Sequence, residues 1–522
     1  MSNQPLEPES LDPTSEPMPP KPLKQRGEHG LTADGRLKSG KLAGLSMYAA
    51  IWTVGWPVLV DSVLNSLVGL TDTMVAAAIS PAATDAIGNA AYILWFCGLF
   101  MIALDVGATA LISRSVGAGR WAVAHAAVGQ TMILAVTTGV AVGALLLALA
   151  GPIASVMGMS PEGEILFRQY LRVCSIDVPL MGVLYAGIAC MRGAGDSFRP
   201  MRAMILVNII NLGLSWMLSG ADYAVMVKGA DGGLVRKVVV ENPFPFDLGV
   251  LGIGLGTILG HAAGAVLILL TLVRGKTGLR LRRSRLKPHW HTMRRIVRVG
   301  FPNFLETLGM WIGNFPIILM AGWIGADLVG AHILAVRIEA FSFQPGFAIG
   351  IAAAALAGQY LGAGSPRLAR RAVLICTGLS AGIMGVMGVC FILFAKPIVG
   401  MLSAQGVHLA VTPRLLEITG LVQVPFAVAI VFRQAMRGAG DVKVVMWITW
   451  ITTYAFRLPL AYALSGVDVP LPGGGRLENP FKEWVGGASL TGLWVGLCAE
   501  IVLRAGMFAW RFWQGGWTRV KV

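Results

Sequence analysis

Three polar residues inside the first apolar stretch have the types and the spacing for ion chemistry. Asp61, Asn65 and Asp72 stand at i, i+4 and i+11. On a helix they point the same way, with the two acids about 16 Å apart along the axis. An ionisable group at the middle of a membrane helix costs about 2.5–3.5 kcal/mol on insertion scales, so such groups are functional candidates. A stripe of this kind needs a wet cleft beside it, and its chemistry is reversible cation binding. A carboxylate in a low-dielectric cleft favours its neutral or ion-bound form and can release the ion elsewhere. In the fifth apolar stretch Asn208, Asn211 and Ser215 share a face at i, i+3 and i+7. They can complete the site, or serve only as helix–helix hydrogen bonds. The ion-coupling set is therefore Asp72, Asp61, Asn65, Asn211 and Ser215, while Glu306, Asn208, Asp177 and Gln423 are candidates for a substrate cleft.

Other chemistries find little support. Gly275-Lys276-Thr277 lacks the upstream glycine of a phosphate-binding loop and follows no strand. His289 and His291 lie in a basic loop without further ligands, and no nucleophile elbow, HExxH or paired-cysteine pattern occurs. The six cysteines lie in or beside apolar runs and read as small buried hydrophobes, with no disulfide framework implied. Asp105 and Asp177 are further acids within apolar stretches, placed to pair with Arg114 or to flank the kink at Pro179. Arg337 and Glu339 read as structural, and Arg457 beside Pro459 as ambiguous.

The elements that must hold these residues follow from composition and from a repeat. The chain of 522 residues is 55% hydrophobic and 13% charged, with mean hydropathy +0.68. So few charges cannot cover a soluble protein of this size; a lipid-facing surface can account for them. Twelve apolar stretches are long enough to cross a bilayer core as helices: 46–79, 87–113, 122–149, 164–190, 199–219, 249–273, 296–324, 330–357, 368–395, 411–436, 443–464 and 488–512. Residues 1 to about 42 are rich in Pro, Glu, Ser and Lys, and are expected to be a disordered tail without a signal peptide. The hexapeptide MRGAGD occurs at 191–196 and again at 436–441, 245 residues later. The same step carries Val54–Pro57 onto Val299–Pro302 and Gly117–Gly119 onto Gly362–Gly364. Glu241–Phe244 and Glu478–Phe481 repeat at a shorter offset. The chain thus contains a duplicated six-span unit.

Loop charges set the orientation. The even-numbered connections are basic, and the central one, from Arg274 to Arg298, carries ten arginines and lysines and no acid. The net charge of +15 therefore reads as a topology signal facing anionic lipid, not as a nucleic-acid surface. Both termini are expected in the cytoplasm, in the inner (plasma) membrane. Six spans per unit make the repeat parallel, giving two pseudo-symmetric six-helix lobes around a cleft. The expected layout is a tail at 1–45, an N-terminal lobe at 46–273, a basic linker at 274–295 and a C-terminal lobe at 296–522. The MRGAGD copies read as structural turns whose arginine meets lipid phosphate or helix C-termini and whose aspartate caps the next helix. In the second copy Asp61 keeps an acidic counterpart, Glu306, but Asn65 becomes Met310 and Asp72 becomes Ile317. The ion site is therefore expected in the N-terminal lobe.

Over residues 46 to 512 the chain resembles the multidrug and toxic compound extrusion (MATE) family, within the larger group that includes lipid-linked oligosaccharide flippases. The resemblance is carried by Gly69–Met74, Ile112–Gly119, Arg192–Asp196 with Pro200, Asn211–Trp216 and Gly358–Gly364. It implies an all-α polytopic membrane fold of twelve helices and an antiporter, not an enzyme, that exports amphipathic, often cationic, compounds in exchange for protons or sodium by alternating access. By position, Asp72 matches the family's first-span coupling acid and Asn211 its fifth-span asparagine. Ser215 stands where many relatives have an acid or asparagine. Glu306 lies closer to Pro302 than the seventh-span glutamate of some relatives lies to its proline, and no acid is found near Gln423 and Pro425. These departures favour an N-lobe proton or sodium site. The expected partners are amphipathic small molecules and membrane lipids, without nucleic acid or resident cofactor, for a monomer. A flippase of the same superfamily is the alternative, favoured by a cleft rich in intramembrane arginine; a polytopic membrane enzyme is the alternative of another class.

Overall fold

A computed structural model of the chain describes residues 30–228, 234–275, 278–403, 405–471, 473 and 475–520. The first repeat forms helices α1 (Met47–Ile79), α2 (Pro81–Gly117), α3 (Trp121–Val156), α4 (Pro161–Gly193), α5 (Phe198–Ser219) and α6 (Val250–Arg274). The second forms α7 (Trp290–Ile324), α8 (Leu328–Gly362), α9 (Pro366–Leu402), α10 (Gly406–Leu421), α11 (Gln423–Ala439), α12 (Val442–Trp450), α13 (Leu458–Ser465) and α14 (Leu490–Gln514). Eleven spans, α12 to α13 counted as one, are long and apolar enough to cross a membrane, and the bent pair α10–α11 makes a twelfth. Serines 46, 80, 160, 365 and 489 cap helix starts with their hydroxyls, three of them followed by proline at the first helical position.

Three features depart from uninterrupted spans. The stretch expected as one helix at 411–436 bends by 59° between α10 and α11. Pro425 supplies no N–H to the carbonyl of Leu421, and its ring crowds that carbonyl, so the helix breaks there. The eleventh span contains a π-helical turn at Ile451–Arg457, just before Pro459, where one extra residue per turn absorbs the missing donor. The connections after α5 and α13 carry antiparallel hairpins: β1 (Tyr223–Lys228) with β2 (Leu234–Val240), and β3 (Val469–Pro470) with β4 (Arg476–Leu477). Their repeated Asn-Pro-Phe follows one scheme in both lobes. Asn242 donates to the Trp216 carbonyl at 2.7 Å, and Asn479 to the Tyr462 carbonyl at 2.7 Å.

One end of the molecule gathers the arginine-rich turns; the hairpins lie at the other. At the basic end the lobes meet through glycine. A Cβ on Gly117 would lie 2.0 Å from the Gln359 carbonyl oxygen, and one on Gly362, its repeat partner, 2.2 Å from that of Arg114. Arg114 donates to the Ala439 carbonyl at 2.7 Å and Gln359 to the Gly193 carbonyl at 3.0 Å, so each lobe grips the other's MRGAGD turn. The seam continues along α2 and α7 through Trp95 against Trp311, ring centroids 4.1 Å apart, and Phe100 against Phe304 at 4.8 Å. The basic end is closed.

The first helix of each repeat begins in the other lobe's core. Ala50, Ile51, Val54 and Val58 of α1 pack with Ala348, Ala352 and Leu356 of α8, while Ile296 of α7 joins the core of the first lobe. The expectation of disorder up to residue 42 is corrected for residues 30 onward; residues 1–29 lie outside the described part. Leu31, Leu37 and Leu42 are buried in the second lobe's core. Ser39 donates to the Val116 carbonyl, and Lys41 lies 3.7 Å from Asp196. Three leucines within a polar stretch suffice because a preformed groove, with contributions from both lobes, receives them.

Candidate ion-coupling site

Asp72 lies on α1, seven residues from its hairpin-end terminus, and its carboxylate points into the first lobe. Oδ1 accepts a hydrogen bond from Asn211 Nδ2 of α5 at 3.1 Å. Oδ2 accepts from Thr257 Oγ1 of α6 at 3.0 Å and from Tyr170 OH of α4 at 3.2 Å. Asn211 Nδ2 also approaches Thr257 Oγ1 at 3.0 Å and Ser215 Oγ at 3.3 Å. Four helices thus converge on one carboxylate. The glycines of α6 allow the approach: a Cβ on Gly256 would lie 2.3 Å from Ser215 Oγ, and one on Gly260 3.0 Å from the Val207 carbonyl. Asp72 has no lysine or arginine partner among the described ion pairs. Asn211 Oδ1 is buried and unpartnered. Carboxylate, amide and hydroxyl oxygens with one negative charge suit a proton or a hard monovalent cation, because such ions are held by oxygen.

Below this cluster, towards the basic end, the same helix faces carry further polar pairs. His261, one turn beyond Thr257 on α6, places Nδ1 2.8 Å from Asp177 Oδ2 of α4. The ring of Tyr185 lies edge-on to His261, and its hydroxyl donates to Asn65. Asp177, expected beside a proline kink or in a substrate cleft, is therefore a buried partner of His261. Asn65 is exposed and bonded to α4, apart from the Asp72 cluster.

Asp61 requires a correction. It forms a buried ion pair with Arg192, the arginine of the first MRGAGD turn, so a fixed guanidinium occupies the place a coupling ion would take. The second lobe repeats the pair 245 residues on: Glu306 holds Arg437 at 2.7 Å and Arg433 at 2.9 Å, and accepts from Thr449 at 2.8 Å. Glu306 is fully buried in this pair and does not line a cleft. The arginines of both turns reach inward to an acid on the first helix of their repeat, not outward to lipid phosphate; the long arginine stem spans that distance while its head stays paired. Both aspartates hold an arginine side chain, Asp196 that of Arg199 and Asp441 that of Arg511 at 2.9 Å, and Asp196 also accepts from the backbone N–H of Arg199 at 3.4 Å.

The remaining candidates separate as well. Asn211 and Ser215 join the Asp72 cluster, but Asn208 donates back to the Met204 carbonyl of its own helix at 2.9 Å. Gln423 is fully buried beside Gly388 at the α10–α11 bend. Arg114 pairs with a carbonyl and not with Asp105, which accepts from Thr109 at 3.0 Å. Asp105, Arg192, Gln434 and Arg437 line a cavity of about 50 Å³ on the seam between the lobes. In the second lobe Glu500 of α14 is held by Arg457 at 3.2 Å and Arg504 at 2.7 Å, and Arg457 also donates to Asn314 of α7 at 2.7 Å. Sequence reasoning missed Tyr170, Thr257 and His261. None is an acid, and each joins the site only through helix packing.

A family model described as MatE matches the chain twice, over residues 57–217 and 302–463, two blocks whose starts are 245 residues apart. The chain belongs to the MatE family. Among curated MatE relatives, a probable multidrug resistance protein NorM of Thermotoga maritima is 28% identical, over 89% of this chain and 92% of its own. The multidrug resistance protein PmpM of Pseudomonas aeruginosa is 25% identical, over 87% and 91%. An outward-facing multidrug resistance MATE transporter of the MOP superfamily superposes with a TM-score of 0.77 at 20% identity, covering 91% of this chain and 97% of its own. A Vibrio cholerae MATE transporter in its bent form gives 0.77 at 16%, covering 90% and 97%. The twelve-helix, two-lobed MATE fold and the multi-pass membrane character expected from the sequence hold. The MATE family and these relatives are transporters, not enzymes.

Proposed function

We propose that this MATE protein is a proton- or sodium-coupled antiporter that exports amphipathic or cationic organic compounds. It works in the inner membrane, as a monomer with both termini in the cytoplasm, by alternating access between its lobes. The observation that carries this reading is Asp72: a buried carboxylate of the first lobe held by two hydroxyls and one amide N–H, with no lysine or arginine partner among the described ion pairs. A carboxylate so placed needs a mobile cation for neutrality. Ion binding there biases the lobes between two states by as much as the ion's affinity differs between them. The closed basic end, which the loop charges assign to the cytoplasm, is the state able to take the ion from outside. The names of the relatives support drug-like substrates.

The test is transport by Asp72→Asn in proteoliposomes. We expect the variant to fold and bind substrate but to lose uptake driven by an imposed proton or sodium gradient. Full gradient-driven transport by it rejects the reading. A second reading, flipping of a lipid or lipid-linked saccharide, gains weight from the buried arginines 433, 437 and 504 and the half-buried arginines 192 and 457. All five are paired with Asp61, Glu306 or Glu500, so three of their five charges are already balanced and two are left for a phosphate. Ion-independent lipid scrambling in the same vesicles would favour that reading instead.

A further inference from the structure

Where α3 of the first lobe meets α7 and α12 of the second, near the basic end, the surface holds a cavity of about 380 Å³. That is within the range of about 300–1,000 Å³ typical of small-molecule sites. One side is apolar: Leu134 of α3 faces Met293, Val297 and Phe301 of α7, and Val297 and Phe301 are exposed. The other side is cationic, with Arg294, Arg298 and Lys443. All three are exposed, none is in an ion pair among the described residues, and no acid lines the cavity. Asp441, the nearest acid in sequence to Lys443, is committed to Arg511. Trp290, 76% exposed, also lines the cavity, the kind of residue that settles at headgroup depth.

Three like charges around one apolar groove repel each other unless an anion sits among them. An occupant must satisfy both sides, with a negative head at the basic end and an apolar body running along the helix surface. We propose that this groove is a binding site for an anionic phospholipid. The phosphate lies against Arg294, Arg298 and Lys443, and an acyl chain lies along Leu134, Val297 and Phe301. Because its walls come from both lobes, the lipid bridges them on the side where the seam is closed. The proposal stands apart from the coupling role of Asp72.

The test uses the full-length protein, stripped of lipid in neutral detergent and titrated with phosphatidylglycerol or phosphatidylcholine of the same acyl chains, bound lipid being counted by native mass spectrometry. We expect the wild type to prefer phosphatidylglycerol. Each cation near the surface contributes about fivefold, so R294Q/R298Q/K443Q should reduce phosphatidylglycerol binding on the order of a hundredfold. R282Q/R283Q/K287Q removes equal charge from the linker outside the cavity and should leave binding unchanged. If the triple variant does not fold, K443Q alone should still show about a fivefold loss. No preference in the wild type overturns the proposal, and so does an equal loss in the linker variant, which would mean diffuse attraction to basic surface.

Discussion

Asp61, Glu306 and Asp72 are all buried acids on the first helices of their repeats, yet their partners give them different work. Asp61 and Glu306 are bound to guanidiniums, Asp72 to neutral donors. Removing one partner of a buried ion pair leaves an uncompensated charge and costs about 3–5 kcal/mol. Asp61→Asn should therefore lower thermal stability markedly, and D61N/R192Q should recover most of it. Glu306→Gln strands two arginines, Arg433 and Arg437, and should be the more destabilising, as read from melting curves in detergent. If D61N melts like the wild type, the pair is not structural. Asp72 and Asn211 were legible in the sequence because a charge and an amide on helical spacing stand out in an apolar run. The inward direction of the two arginines does not show in the local sequence, because each lies next to a glycine turn. The signal was nevertheless present: 61 to 306 and 192 to 437 are the same step, so acid and arginine were duplicated together.

At the scale of elements, the glycine ends of α2 and α8 decide how closely the lobes approach. A methyl group on Gly117 meets a backbone carbonyl oxygen at 2.0 Å, an atom that cannot rotate away. Gly117→Ala should therefore hold the basic end apart. Spin labels on the basic ends of α3 and α9 should report a longer mean distance than in the wild type, and an unchanged distance would mean that the seam does not depend on this contact. The same elements show what sequence does and does not disclose. Twelve apolar stretches can be counted, since bilayer thickness fixes helix length. The break at Val422 needed attention to Pro425 and its i−4 carbonyl rather than to hydropathy. The Asp72 site needed Tyr170 and Thr257, which only the packing of α4 and α6 against α1 brings together.

For the whole molecule, the segment before α1 acts as a clamp across both lobes. Leu37, 2% exposed, anchors it in the second lobe's core, and Lys41 and Ser39 tie it to the first. Leu37→Asp would bury an unpaired charge and should release the segment. Trypsin should then cut faster at Arg36, Lys38 and Lys41, and equal cutting rates would show that the leucine is not the anchor. The two-lobed plan was readable from the 245-residue step, whereas the clamp was not, because its leucines follow no helical or strand period. The proposed antiport requires one lobe to hold one exchangeable cation at Asp72. The most direct test is to count protons released, or sodium ions displaced, when an organic cation binds the purified protein in detergent. One cation per protein for the wild type and none for Asp72→Asn is the expected result; the same count from both would contradict it.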